Sequence, residues 1–112
     1  MTLYLVAIQH AVDYDPSMED DAMGADISAL NDQMVAAGIR VFVGGLGPPN
    51  AARSLRPTIE GEVLITDGPY AEAKELVGGF WVLNVATLEE ALDWGRRAVM
   101  ACRAPVEVRP FN

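Results

Sequence analysis

The sequence predicts an α+β fold, a ferredoxin-like β-α-β sandwich in which two helices cover one face of a sheet. Three observations carry this. Patterned segments run in the order strand, helix, two or three strands, strand, helix, strand, which is two β-α-β halves in succession. Residues 3–10 and 77–85 are apolar on both faces, the mark of strands buried on two sides. The segments around 17–37 and 87–102 repeat apolar residues at intervals of three and four, as amphipathic helices do. With 112 residues, about half of them apolar, residues 1–112 form a single domain with enough core to need no staple.

Each element has its own signals. In 3–10, Leu3, Leu5 and Ala7 share one face and Tyr4, Val6 and Ile8 the other, with His10 at the end. Pro16 and Ser17 introduce the first helix, with Ser17 and Asp20 near capping-box spacing. Its stripe is Met23, Ile27, Leu30, Met34 and Ala37, and Gly38 stops it. Residues 39–46 read as a strand that ends in Gly44, Gly45 and Gly47, followed by Pro48 and Pro49. Those glycines fit neither the dinucleotide-binding spacing nor a P-loop. Residues 52–59 alternate and turn tightly at Glu60-Gly61 into 62–66. After 77–85, Thr87 and Glu90 box the second helix, whose stripe is Leu88, Ala91, Leu92, Gly95, Ala98, Val99 and Cys102. Residues 104–111 close the sheet as a strand, and Pro110 suits its end or an edge.

Two helices cover only one face of such a sheet. Central strands that are apolar on both faces need a second cover, and a second copy of the chain packed sheet to sheet about a two-fold axis supplies it. A homodimer is therefore expected.

Sixteen acidic residues against eight basic ones give a net charge of −8. Nucleic acid and anionic membranes, which are bound by clustered Lys and Arg, are excluded as partners by this balance. Seven carboxylates lie between Asp13 and Asp32 with no basic residue among them. They read as a solvated helix face with acids near its positive end; they lack the spacing of a calcium loop, and His10 is the only histidine, so no metal is assigned. No cofactor motif is present. Cys102 lies on the second helical stripe as a small buried hydrophobe. No apolar run approaches the roughly 18 residues of a membrane span, and the N-terminus lacks a basic region and cleavage site. A cytoplasmic location is expected.

The richest stretch is 67–80, where Asp67-Gly68-Pro69 interrupts two apolar runs and leads into Tyr70, Glu72, Lys74 and Glu75. Loops held by a rigid scaffold are where sites concentrate. Asp67 ends one strand and His10 another. Imidazole is the usual side chain for moving protons near neutral pH, and a carboxylate can orient it, so His10 and Asp67 are the candidate catalytic pair. Asp before Gly-Pro also caps its own turn, and that architectural role competes. Arg53 and Arg109, on strands, are candidates to meet an anionic ligand, together with Tyr70 beside the turn.

The segments Gly44–Pro49, Val63–Glu75 and Gly78–Leu83, with Thr87-Leu-Glu-Glu-Ala, Trp94 and Val106–Pro110, resemble the YCII-related proteins, specifically the DGPF-domain branch. The resemblance covers almost the whole chain, with Tyr70 where the branch name has Phe. It implies a dimeric α/β-barrel with sheets packed face to face. It also implies one of two roles. Some relatives are thought to be enzymes using a His-Asp pair on small molecules, one of them a dehydrochlorinase on a chlorinated aromatic. Others accompany alternative sigma factors, which points to a non-catalytic ligand-binding or accessory module acting through protein partners.

Overall fold

A computed structural model describes residues 1–70 and 74–112. The chain forms β1 (Thr2–Ala11), α1 (Asp21–Ala36), β2 (Arg40–Gly45), β3 (Arg53–Pro57), β4 (Val63–Asp67), β5 (Glu75–Val85), α2 (Leu88–Cys102) and β6 (Val106–Pro110). The main sheet has the order β2-β5-β1-β6, with every neighbouring pair antiparallel. The two strands that are apolar on both faces, β1 and β5, are its two central strands, so the pattern that marked them reflects their position. This is a mixed α+β architecture compatible with a ferredoxin-like fold.

The core lies between the sheet and the helices. Tyr4 and Val6 of β1 and Trp81, Leu83 and Val85 of β5 pack against Leu30 and Met34 of α1 and the small residues Ala91, Ala98 and Cys102 of α2. Small residues let α2 lie close to the sheet. A Cβ added at Gly95 would come within 2.8 Å of Val108 Cγ2, so glycine there sets the helix-to-strand distance. One polar link ties the layers together: Trp81 Nε1 donates to Asn31 Oδ1 at 2.9 Å, and Arg40 donates to the same oxygen at 3.1 Å.

Two local expectations are corrected. Ser17 does not cap α1. Asp15 accepts both the Ser17 N–H (2.9 Å) and its hydroxyl (2.7 Å), so Pro16–Met18 closes into a separate 3-10 turn. With that hydroxyl engaged, Asp20 becomes the cap, accepting from Met23 N at 2.8 Å. The turn at Glu60-Gly61 is also broader than a two-residue hairpin. Thr58 N donates to Glu62 O at 2.9 Å, closing a loop in which Gly61 takes φ +84°. Thr87 does cap α2, accepting from Glu90 N at 3.2 Å.

β3 and β4 leave the main sheet and pair only with each other, Arg53 opposite Asp67 through Pro57 opposite Val63. Only Ser54 of this ribbon is buried, its hydroxyl donating to Gly68 O at 2.7 Å, while Leu55, Val63 and Ile65 are exposed. The sheet face away from the helices carries Leu3, Leu5, Phe42, Phe80 and Val82. Phe42 is 53% exposed, and its ring lies 5.8 Å from that of Phe80. Among the described residues, no helix is long and apolar enough to cross a membrane.

Candidate small-molecule site

At one end of the sheet, β1 leaves the core, β5 enters it and β2 runs out into the Leu46–Ala52 loop. Two backbone bonds fix this junction, Leu46 N to Gly78 O at 2.9 Å and Val12 N to Lys74 O at 3.1 Å. Between the segment after β1 and the proline-rich loop after β2 lies a cleft of about 700 Å³. Its walls are mostly apolar, with Val12, Leu46, Pro48, Pro49, Pro69 and Val77 prominent. The polar side chains among its described lining residues are His10, Tyr14 and Glu19. An apolar cavity with a few convergent polar groups is the usual form of a ligand site.

Those three groups form a chain. The β1–β5 register shifts between Ile8 and Gln9, which lets His10 pair opposite Leu76 beside Gly78. The His10 ring lies against Gly78: a Cβ at that position would come within 2.2 Å of His10 Nδ1. Past the strand, Tyr14 N donates to Ala11 O at 2.9 Å, and this turn folds the phenol ring back onto the imidazole. The rings stack with centroids 3.8 Å apart and planes 16° apart. The Tyr14 hydroxyl in turn donates to Glu19 Oε2 at 2.5 Å. Burial first, and this bond to Glu19 second, push the Tyr14 hydroxyl up to about 12. At neutral pH it is a fixed donor, and the Glu19 carboxylate is oriented by it.

A second cavity of about 250 Å³ runs between α1 and the β2–β5 pair, reaching Asn31, Trp81 and Cys102. His10, Glu19 and Gly78 line both cavities. Burial, with the Glu19 charge second, pushes the Cys102 thiol up to about 11, so it remains a neutral thiol at the inner end.

The profile of the YCII-related domain matches residues 2–112. The chain belongs to the YCII-related domain family. An uncharacterised protein of Rhizobium meliloti (strain 1021) is similar to the chain, 40% identical over 95 residues, which is 83% of this chain and 76% of the relative.

In this YCII-related chain the residues singled out from sequence fall in different places. His10 is on the cleft wall. Asp67 is not among the lining residues; it ends β4, and its exposed carboxylate pairs with Arg53 Nε at 3.1 Å. Among the described residues His10 and Asp67 make no hydrogen bond to each other; His10 stacks on Tyr14 and lies against Gly78. Arg109 pairs with Glu107 along β6 at 2.7 Å, and Tyr70 carries the Arg56 guanidinium 4.7 Å above its ring. Of the polar run after the turn, Lys74 and Glu75 are exposed and Glu72 lies outside the described residues.

Sequence reasoning missed Tyr14 and Glu19. A signal existed: the lone histidine is followed four residues later by an aromatic residue, within a segment whose Asp and Pro content favours tight turns. The acids of that segment also proved to have separate duties. Asp15 and Asp20 cap turns, Glu19 faces the cleft, and Asp26 pairs with Arg103 at 3.1 Å.

Proposed function

We propose that this YCII-related protein binds a small molecule in the cleft over Leu76–Gly78 and performs cofactor-free acid-base chemistry on it, with His10 as the proton carrier. The observation that carries this is the His10–Tyr14–Glu19 chain on the wall of an otherwise apolar cleft. An imidazole stacked on a phenol and set against the backbone of a glycine is restricted in its orientation, which favours proton transfer. Asp67 then acts as an architectural residue whose carboxylate, paired with Arg53, joins the ends of β3 and β4 beside the turn before Tyr70. The Asp67-Gly68-Pro69-Tyr70 turn also underlies our placing of the chain in the DGPF branch.

We further propose that the protein is a homodimer, with the open sheet face of Leu5, Phe42, Phe80 and Val82 covered by a second copy. That arrangement is what a dimeric α/β-barrel requires of this face.

A second reading has its own support. No carboxylate orients His10 through a hydrogen bond among the described residues, which favours a ligand-binding or accessory module without catalysis, acting beside transcription proteins through protein contacts. Amide chemical-shift mapping with a library of neutral fragments, on the wild type and on His10→Ala, tests both. Shifts gathered on residues 10–14, 46–52 and 76–78 that vanish in His10→Ala support the first reading. Shifts there that survive the substitution favour the module. Shifts confined to the β3–β4 ribbon overturn the cleft as the site.

A further inference from the structure

The described lining of the cleft carries charge of one sign only. Glu19 is the one formal charge among its described lining side chains, and its Oε2 is held by the Tyr14 hydroxyl while Oε1 accepts no hydrogen bond among the described residues. The cations nearby in sequence are directed elsewhere. Arg53 adjoins the wall residue Ala52, but its guanidinium donates to the carbonyls of Asn50 (3.2 Å) and Ala52 (2.8 Å) and pairs with Asp67. Lys74 contributes its backbone carbonyl to the junction and is not a lining residue. Asp13 and Asp15 lie on the same segment as Tyr14, and the chain as a whole carries −8. A bound anion would meet the Glu19 carboxylate, no Lys or Arg among the described lining residues, and an unfavourable surrounding field.

From this we infer that the ligand of the cleft is a small molecule with an apolar body and a hydrogen-bond-donating group, a protonated amine foremost, and no anionic group. The apolar body lies against the Pro48, Pro49 and Val77 walls, and the donor reaches Glu19 Oε1. Charge is the basis of selection, because Glu19 is the one formal charge among the described lining side chains. The inference rests on the cleft being the site and replaces the anionic ligand that Arg53 and Arg109 led the sequence to suggest.

Three probes with one ring and different charge test it: benzylammonium, benzyl alcohol and benzoate, titrated at about pH 8, where the first is a cation and the last an anion. Amide shifts of residues 10–14 and 76–78 supply the affinities. Benzylammonium should bind roughly threefold more tightly than benzyl alcohol, and benzoate weakest, about tenfold below benzylammonium, the scale of partly solvated ion pairs. Glu19→Gln keeps an acceptor for Tyr14 and removes the charge, so it should bring the three affinities within about twofold of one another. Equal affinities in the wild type, a preference for benzoate, or an order unchanged by Glu19→Gln overturns the charge selection while the cleft stands as a site. If none of the three probes shifts any cleft residue, the selection and the site both fall.

Discussion

Gly78 is where the candidate site is most sensitive to a single methyl group. A Cβ there would come within 2.2–2.9 Å of three atoms of the His10 ring, and the ring must leave its place over the strand. Because that ring is a side chain that can rotate away, Gly78→Ala should cost about 1 kcal/mol of stability or less while separating His10 from Tyr14. The measurement is the ring-proton shifts of His10, which should lose the upfield displacement caused by the stacked phenol. Unchanged shifts would show that the two rings are not held together by this glycine. A pH effect also belongs at this scale. Tyr14 and Cys102 both titrate higher in the fold than in the unfolded chain, at about 12 and about 11. Groups raised in this way contribute stability that is complete below their unfolded values, near 9 for the thiol and 10 for the phenol, and lost as pH rises through the folded ones. Thermal stability should therefore fall between about pH 9 and 12, with Cys102→Ala flattening the lower part of that window and Tyr14→Phe the upper part. Melting scans across alkaline pH decide it.

Among the elements, the helices were legible and the connections were not. The α2 stripe placed Ala91, Gly95, Ala98 and Cys102 inward correctly because one apolar face dictates a helix's rotation, while Leu88 and Val99, at the edges of that stripe, are exposed. The start of α1 escaped because two acids compete for the same turn, and a carboxylate two residues before Ser17 captured its hydroxyl. The β3–β4 ribbon was visible as alternation, yet nothing in a period of two says which sheet a strand joins. The site divided along the same line. His10 lay at a strand end and could be found, whereas Tyr14 and Glu19 reach it through the fold of an irregular segment. The α1–β5 link yields a prediction of its own. Asn31→Leu preserves bulk but leaves the Trp81 indole N–H, part of the buried core, without its acceptor. The expected cost is about 1–3 kcal/mol, against less than about 1 kcal/mol for Arg40→Ala, which removes only an exposed partner of the same oxygen. Urea unfolding at fixed protein concentration would compare the two, and equal losses would refute the indole bond as the main link.

Seen whole, the chain is spread out. Its radius of gyration is 16.1 Å, with extents of 50 × 36 × 19 Å, whereas a folded domain of this length is nearer to about 13 Å. The excess comes with a ribbon outside the sheet and an apolar face opposite the helices, both features that a second copy would cover. At micromolar concentration, light scattering should give twice the 12.0 kDa chain mass. Phe42→Glu, which places a charge on the open face beside Phe80, should return the protein to one chain mass. A wild-type monomer would remove the homodimer proposal.

The β3–β4 ribbon has one more consequence. Two strands paired only with each other are marginal in water, and their amide hydrogens exchange through a local opening that does not wait for the core to unfold. Deuterium uptake between Arg53 and Asp67 is therefore a built-in reporter of docking, fast while the ribbon stands alone and slow whenever another surface closes over it.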